Sequence, residues 1–228
     1  MEKKLSVEAF VKEQIKRWDA VHSDADKKGE AKVPVITVCM EPGSGGRRVA
    51  EEIAKQLGFD FFYRDIVQEI AKSADISATI LESIEKERLS GIQDFISSLV
   101  NDHYLYPGLY LEHLMEVVNA IAAHGQAVIV GRGANFILPP ESRFSVLVVA
   151  PLEKRIQNVV HAFGTSEKEA KRRVLQRESK RQAFVRESFH ADIFSPLNYD
   201  LVVNMGRLNV ESAVEAVIGA VIGRISNK

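Results

Sequence analysis

Short apolar runs alternate along most of the chain with longer segments of mixed polarity. The runs are rich in β-branched and aromatic residues and have the length of buried strands. Five of them predict strands, at residues 35–39, 59–63, 127–130, 144–150 and 199–204. The segments between them carry apolar residues at helical spacing, as do helices that cover a sheet. This alternation predicts an α/β fold, a five-stranded parallel sheet with helices on both faces.

The predicted helices differ in length and regularity. The helix after the first strand should end near Gly58, because glycine is the favoured residue just beyond a helix C-terminus. Further helices are predicted over residues 151–161, 166–181 and 210–225. Residues 73–123 form a long helical insertion between the second and third strands, where a substrate pocket could be covered.

The N-terminal part of the chain precedes this pattern. Residues 7–21 have helical spacing, and the polar residues 23–32 follow. We therefore predict an N-terminal helical extension and linker over residues 1–32 and a main domain over residues 33–228. The extension carries Phe10, Ile15 and Trp18, which could pack on their own domain or on a second subunit. We favour the second interpretation, a homodimer contact.

Composition limits the classes of function. A chain of 228 residues with 46% hydrophobic residues can form one α/β domain with a substantial core. Its 30 basic and 31 acidic residues give a net charge of −1, so neither nucleic acid nor an anionic membrane is an expected partner. Without a signal peptide or an apolar run of about 20 residues, we expect a cytoplasmic protein. The only cysteine, Cys39, should be a small buried side chain, and the six histidines lack metal-ligand spacing, so no metal ligands are assigned.

A glycine-rich loop lies between the first strand and the first helix of the main domain. It comprises Gly43, Ser44, Gly45, Gly46, Arg47 and Arg48. Such a loop can turn its backbone N–H groups toward a phosphate, and the N-terminus of the next helix adds a positive dipole. The Walker pattern requires lysine and then serine or threonine after the last glycine, whereas this chain has two arginines there. The loop therefore predicts phosphate binding, and whether it supports catalysis stays open.

Two further features could contribute to a phosphate site: a glycine-arginine turn and a row of arginines. The turn Gly131-Arg132-Gly133 follows the third strand and should face the same crevice as the glycine loop, because ligands bind beyond the carboxyl ends of parallel strands. Arg173, Arg177 and Arg181 follow one face of a predicted helix. That face could be solvated, with its repulsion offset by acidic neighbours (Glu167, Glu169 and Glu178), or residues 166–190 could form a lid whose arginines close on phosphates.

Together these segments resemble a known family. The strand at 35–38 with its glycine loop, Gly131-Arg132-Gly133, the segment 177–181 and the strand within 198–204 are similar to the cytidylate kinase-like branch of the P-loop nucleoside monophosphate kinases. The resemblance covers about residues 34–223. It implies a P-loop NTPase three-layer fold, ATP with Mg²⁺ as the phosphate donor, and a nucleoside monophosphate as the acceptor.

The resemblance also implies roles for individual residues. Arg47 takes the place of the loop lysine, whereas the hydroxyl that would hold Mg²⁺ is missing, so the metal ligands are not identifiable. Arg132 matches an arginine that contacts the acceptor phosphate, and the aspartate expected next is Gly133. Acceptor-binding residues are also expected beside Tyr63, where Arg64 and Asp65 stand, and lid arginines match Arg177 and Arg181.

We therefore expect a nucleotide kinase that passes the γ-phosphate of ATP to a small-molecule nucleotide, CMP or dCMP. Arg47, Arg177 and Arg181 are the candidate catalytic residues, since phosphoryl transfer depends mainly on positioning and positive charge. Two alternatives stay open. The chain could be a non-catalytic nucleotide-binding regulatory module that has kept the loop, or a kinase of another small metabolite.

Overall fold

The computed structural model describes residues 11–16, 35–63, 67 and 109–226. Five strands form one sheet: β1 (Val35–Met40), β2 (Asp60–Phe62), β3 (Ala127–Val130), β4 (Arg143–Val149) and β5 (Leu201–Asn204). The strand order is β2-β3-β1-β4-β5, and every neighbouring pair is parallel. The predicted strands are thus confirmed, with boundaries that differ by up to two residues.

Besides the helical residues 11–16, six α-helices with described bounds connect or flank the strands. They are α1 (Gly46–Leu57), α2 (Leu109–His124), α3 (Ala134–Ile137), α4 (Leu152–Phe163), α5 (Glu167–Phe189) and α6 (Val210–Ser226). Gly58 adopts a left-handed conformation with φ of 67° directly after α1, which confirms the predicted C-cap. Most of the predicted insertion, residues 73–108, lies outside the described residues.

Helix α5 continues eight residues beyond its predicted end at residue 181. It begins after Ser166, whose side chain accepts a hydrogen bond from the Glu169 N–H group, and it ends at Phe189, which is followed by His190 with φ of 49°. The additional turns are stabilised by apolar contacts, because Val185 is buried and Phe184 and Phe189 pack beside it against the sheet. The sequence-based boundary was therefore too early, since it followed the charged residues rather than this apolar face.

The sheet separates two apolar layers because consecutive strand residues point to opposite faces. On one face, Ile36 and Val38 of β1 pack with buried residues of α1 and α6. On the other face, Val35 packs with α2 and α3, and Cys39 packs with Leu147 of β4 and Val185 of α5. The arrangement is a three-layer α/β sandwich with helices on both faces, as predicted.

The helical residues 11–16 pack on the main domain. Val11 is buried in the cluster that contains Phe62 and Leu114, and Ile15 packs against the same cluster. The Gln14 side chain is buried, and its amide nitrogen can be oriented to donate to both carboxylate oxygens of Asp60, at 2.6 and 2.7 Å. Val11, Gln14 and Ile15 therefore face their own domain, whereas Phe10 and Trp18, on which the predicted dimer contact also depends, lie outside the described residues. Dimerisation itself stays a prediction.

Candidate functional site

The glycine loop forms an open turn between β1 and α1. Gly43 and Gly45 have φ of 83° and 90°, and the Ser44 N–H group closes the turn by donating to the Glu41 carbonyl at 3.1 Å. Within the described part of the chain, the amides of Gly43, Gly45 and Arg47 have no backbone acceptor. Amides in such a loop at a helix N-terminus are suited to an anion. The backbone thus has the form of the predicted phosphate cradle.

Hydrogen bonds connect the loop region to the end of β4 and to α4. Glu41 donates its N–H to the Val148 carbonyl at 2.9 Å, and its carboxylate accepts from the Ala150 N–H at 2.8 Å. Asn158 donates its side-chain amide to the Gly43 carbonyl at 2.8 Å. A Cβ atom on Gly43 would lie 2.4 Å from the Arg155 carbonyl oxygen. Glycine is therefore required there by the backbone of α4 as well as by φ.

The two arginines after the glycines are both exposed. The Arg47 guanidinium carbon lies 4.4 Å from the centroid of the Tyr63 ring, at the end of β2. Its Nε atom is 4.0 Å from the Glu51 carboxylate, and 57% of its side chain is exposed. Arg48 follows on the surface of α1. Arg47 thus extends between the glycine loop and the region beyond β2, held by a cation–π contact.

The turn after β3 has an uncommon backbone. Gly131, Arg132 and Gly133 are all left-handed, with φ of 76°, 55° and 69°. Such a conformation is uncommon for arginine, and backbone strain of this kind occurs often at binding sites. A Cβ atom on Gly133 would lie 2.4 Å from Cε2 of Phe189. The aspartate that the resemblance implied at this position therefore has no room in this chain.

One cavity adjoins this turn, with a volume of about 240 Å³. Its walls combine cationic side chains with aromatic and aliphatic ones. The cations are Arg132, Arg177, Lys180 and Arg181. The other lining residues are Cys39, Met40, Tyr63, Val130, Gly131, Gly133, Asn135, Phe136, Phe184, Val185 and Ile193. The turn at residues 131–133 was predicted to share a crevice with the glycine loop, but the residues that line this cavity include the turn and none of residues 43–48. Arg177 and Arg181, predicted as lid arginines, lie in the cavity with Arg132.

The predicted row of arginines on α5 divides into two groups. Arg177 and Arg181 line the cavity, and Arg181 donates from Nη1 to the Met40 carbonyl at the end of β1. Arg173 instead donates to Glu169 at 2.8 Å, as does Arg172. The pairing predicted for Glu169 is therefore confirmed.

The pairing predicted for Glu178 is wrong. Its carboxylate accepts a hydrogen bond from Nη1 of Arg155 on α4 instead of compensating the arginines of α5. The physical reason is that the Glu178 side chain points toward α4, which packs along α5 and places the buried Arg155 guanidinium beside it. Spacing within one helix cannot predict a partner on another helix.

The C-terminal part of α5 is a wall of the cavity. Phe189 stacks on Phe136 with a centroid distance of 5.6 Å and meets Phe184 edge to face at 6.0 Å. These contacts attach the end of α5 to α3 and to the turn after β3. Lid motion of residues 166–190 stays a prediction.

Some functional candidates lie elsewhere or were not predicted. Arg64 and Asp65 lie outside the described residues. Lys180, Phe136 and Phe184 line the cavity although they were not assigned to the site. Helical spacing could have indicated two of them, since residues 180 and 184 follow residue 177 by three and seven positions on one face.

The described residues do not build a metal site of their own. They contain no group of three His, Cys, Asp or Glu side chains placed to hold an ion. The carboxylate nearest the loop, Glu41, already accepts from the Ala150 N–H and lies 3.5 Å from Nε of Arg155. Mg²⁺ commonly binds through substrate phosphates and waters with few protein ligands. The described residues therefore fit an ion that arrives with a nucleotide and do not fit a resident one.

Cys39 lies in the wall of the cavity and is 7% exposed, which confirms the predicted small buried side chain. Burial raises its pKa above the usual thiol value, and contacts with Tyr199 and the charge of Arg181 oppose that shift. Burial also raises the pKa of the Tyr199 hydroxyl, which donates to the Ile193 carbonyl at 2.6 Å. Both groups are therefore neutral at physiological pH.

The fold and the site together define a class of protein. A parallel α/β sheet with a glycine loop between β1 and α1, and a cationic cavity at the carboxyl ends of the strands, are features of the P-loop kinases. A gluconokinase from Sinorhizobium meliloti has the same type of fold, with a TM-score of 0.50, 15% identity and coverage of 86% of this chain and 97% of that one. An uncharacterized protein from Eubacterium ventriosum is more similar, with a TM-score of 0.68, 19% identity and coverage of 84% and 99%.

Sequence comparison gives the family. The model of the cytidylate kinase-like family matches residues 35–207. The chain therefore belongs to the cytidylate kinase-like family. A cytidylate kinase of Ignicoccus hospitalis is 27% identical over 80% of this chain and 96% of its own length. Family membership supports a kinase of nucleotides or small metabolites.

No helix in the described ranges is long and apolar enough to cross a bilayer.

Proposed function

We propose that this protein is a nucleotide kinase that transfers the γ-phosphate of ATP to a nucleoside monophosphate, with CMP or dCMP as the acceptor. The observation that carries the proposal is the cavity at the carboxyl ends of β1 and β3, which combines four cationic side chains with aromatic and aliphatic walls. A nucleoside monophosphate has matching parts, a phosphate and a planar base.

The glycine loop is the proposed donor site. Its left-handed glycines and its amides without backbone acceptors suit the β- and γ-phosphates of ATP. Arg47 extends from the first turn of α1 toward Tyr63, between the loop and the cavity. In the proposed reaction, its guanidinium contacts the donor phosphates from that side. Mg²⁺ bound to ATP would supply further positive charge at the phosphates.

The cavity is the proposed acceptor site. Arg132 follows the carboxyl end of β3, has a left-handed backbone and lines the cavity. It would bind the acceptor phosphate. Arg177 and Arg181 would contact the transferring group, where arginine can donate two hydrogen bonds to phosphate oxygens. Phe136 and Phe184 offer an apolar surface to the base.

Catalysis in this proposal depends on placement and charge. The acceptor oxygen must approach the γ-phosphorus in line, and the charge of the transferred group must be neutralised in a site that excludes water. Arg47 and the α5 arginines would provide that neutralisation from two sides.

A coupled assay with ATP, Mg²⁺ and each nucleoside monophosphate tests the proposal. We expect turnover with CMP and dCMP, and a fall of about 100-fold or more in kcat/KM for Arg177→Ala. Arg173→Ala is the matched control, because Arg173 lies one turn earlier on α5 and is bound to Glu169 outside the cavity. Absence of turnover with every nucleotide would contradict the proposal.

One observation favours a second candidate, a nucleotide-binding regulatory module without kinase activity. Arg48 stands where a hydroxyl would hold Mg²⁺, and the side chain of Arg47 is more than half exposed and packs on Tyr63. Titration calorimetry distinguishes the two functions. ATP binding without turnover of any acceptor would select the regulatory module.

A further inference from the structure

Arg155 of α4 connects the glycine loop with the arginine helix α5. The side chain of Arg155 is 7% exposed, and two carboxylates contact it from different elements. Its Nε atom lies 3.5 Å from the Glu41 carboxylate, which is at the start of the loop. Its Nη1 atom donates to the Glu178 carboxylate, at the middle of α5. The three residues form an ion cluster with a buried guanidinium and two partly buried carboxylates, which we call the Glu41–Arg155–Glu178 triad.

The triad lies beside a second connection between α5 and β1. Arg181 donates to the Met40 carbonyl, one residue before Glu41. Glu178 and Arg181 are three residues apart and therefore lie on adjacent turns of one helix face. Arg181 of α5 is thus bonded directly to Met40, and Glu178 is linked to the next residue, Glu41, through Arg155. Arg177, next to Glu178 in the chain, lines the cavity.

The loop side of the triad is equally constrained. The carboxylate of Glu41 also accepts from the Ala150 N–H, and the carbonyl of Arg155 lies against Gly43. A shift of Arg155 would therefore move either the loop or α5. Leaving a buried charge such as the Arg155 guanidinium without a partner is costly, so its position between the two carboxylates is strongly constrained.

We propose that Arg155 is a positioning residue that sets the separation between the phosphate cradle and the cavity arginines. The inference rests on the proposed kinase function, because only a transfer between the two sites requires that separation. Arg155 itself contacts neither substrate. It acts through Glu41 on the loop and through Glu178 on Arg177 and Arg181.

Glu178→Gln is the informative variant. It removes one charge and leaves the Arg155–Glu41 pair neutral, whereas Arg155→Met would leave two partly buried carboxylates without this cation. We expect Glu178→Gln to lower kcat about 10- to 100-fold while the KM values for ATP and CMP change less than about threefold, since placement rather than binding is altered. The matched control is Glu169→Gln, on the same helix and also paired with arginine but without a contact to the loop. It should retain wild-type kcat.

A second measurement does not depend on turnover. Hydrogen exchange in Glu178→Gln should accelerate both in α5 near residue 181 and in the loop at residues 41–46, because both ends of the triad are released. In Glu169→Gln, acceleration should be confined to the first turns of α5. An unchanged loop in Glu178→Gln, or an unchanged kcat in an active enzyme, would overturn the inference.

The double variant Arg155→Met/Glu178→Gln completes the test. If Glu178 acts through Arg155, the double variant should have the kcat of Arg155→Met alone, whereas independent roles would multiply the two effects. Failure of the kinase proposal is recognised separately, because the wild type would then have no turnover. Exchange in the loop would still decide whether the triad couples the two elements.

Discussion

Gly133 lies against Phe189, so close that a Cβ atom on the glycine would be 2.4 Å from Cε2 of the ring. Phe189 is the last residue of α5, and its ring also stacks on Phe136. The contact joins the turn that carries Arg132 to the helix that carries Arg177 and Arg181. These cationic residues of the cavity are therefore held relative to one another by an apolar contact.

Gly133→Ala should destabilise the protein through both φ and this contact. We expect a loss of about 2–4 kcal/mol in the free energy of unfolding, measured with urea. Gly125→Ala is the control, because Gly125 has a similar φ of 77° and no atom within 4 Å of the added Cβ. It should lose only about 1 kcal/mol from backbone strain. Equal losses at the two positions would contradict a tight contact with Phe189.

Arg132 should tolerate glycine unusually well, because its backbone is left-handed with φ of 55°. We expect Arg132→Gly to be as stable as Arg132→Ala or more stable by up to about 1 kcal/mol. At the helical residue Arg186, the glycine variant should instead be less stable than the alanine variant by about 1 kcal/mol. Both Arg132 variants should raise the KM for CMP about 10-fold or more, since the acceptor phosphate loses a cation.

Arg47 should act as the cation of the glycine loop. We expect Arg47→Ala to lower kcat/KM for ATP about 100-fold, equivalent to about 2.7 kcal/mol of transition-state stabilisation. Tyr63→Phe keeps the ring beneath the guanidinium and should have little effect, whereas Tyr63→Leu should be impaired. Lys55→Ala, on the exposed surface of the same helix, should match the wild type. Wild-type activity in Arg47→Ala would favour another cation in this role.

Cys39 should report occupancy of the cavity. Its thiol is 7% exposed and its pKa is raised by burial, so little reactive thiolate forms at pH 7. We expect a thiol reagent to modify native protein on the order of 100-fold more slowly than urea-unfolded protein. CMP should slow the reaction further, because Cys39 lines the cavity. Since the chain has a single cysteine, the absorbance of the thiol that the reagent releases on reaction measures modification of Cys39 alone. Acceleration by CMP would contradict the assignment of the acceptor site.

Glu169 should contribute to stability only above acidic pH. Hydrogen bonds from Arg172 and Arg173 lower its pKa to about 2. A carboxyl group whose pKa is lowered by folding stabilises the native state above its unfolded pKa of about 4.3, and that contribution is lost as the pH falls toward 2. Urea midpoints of the wild type and Glu169→Gln should therefore differ slightly at pH 6 and converge near pH 2. A difference that persists at pH 2 would point to another origin.

Much of the fold was predictable because its signals are local. The strand at Ala127–Val130 is apolar throughout, as a central parallel strand must be, and its bounds agree with the prediction. The C-cap at Gly58 follows from one residue type. The end of α5 was not predictable in this way, because Phe184 and Phe189 need the sheet and α3 to pack against.

The same distinction between local signals and tertiary packing applies to the candidate site. The glycine loop and the row of arginines are visible in the sequence because the chemistry of phosphate binding requires these residue types at short spacing. The separation of Arg173 from Arg177 was not visible, since both have the same spacing along the helix. Their different environments result from the position of α5 relative to the cavity.

The α/β fold, the glycine loop and the presence of many arginines follow from the order of the amino acids alone. Three-dimensional packing places particular arginines in one cavity and pairs Glu178 with Arg155, 23 residues earlier in the chain. The reason is physical. Backbone propensity and periodicity act over a few residues, whereas a charged side chain is bound by whichever partner packing brings within a few ångströms.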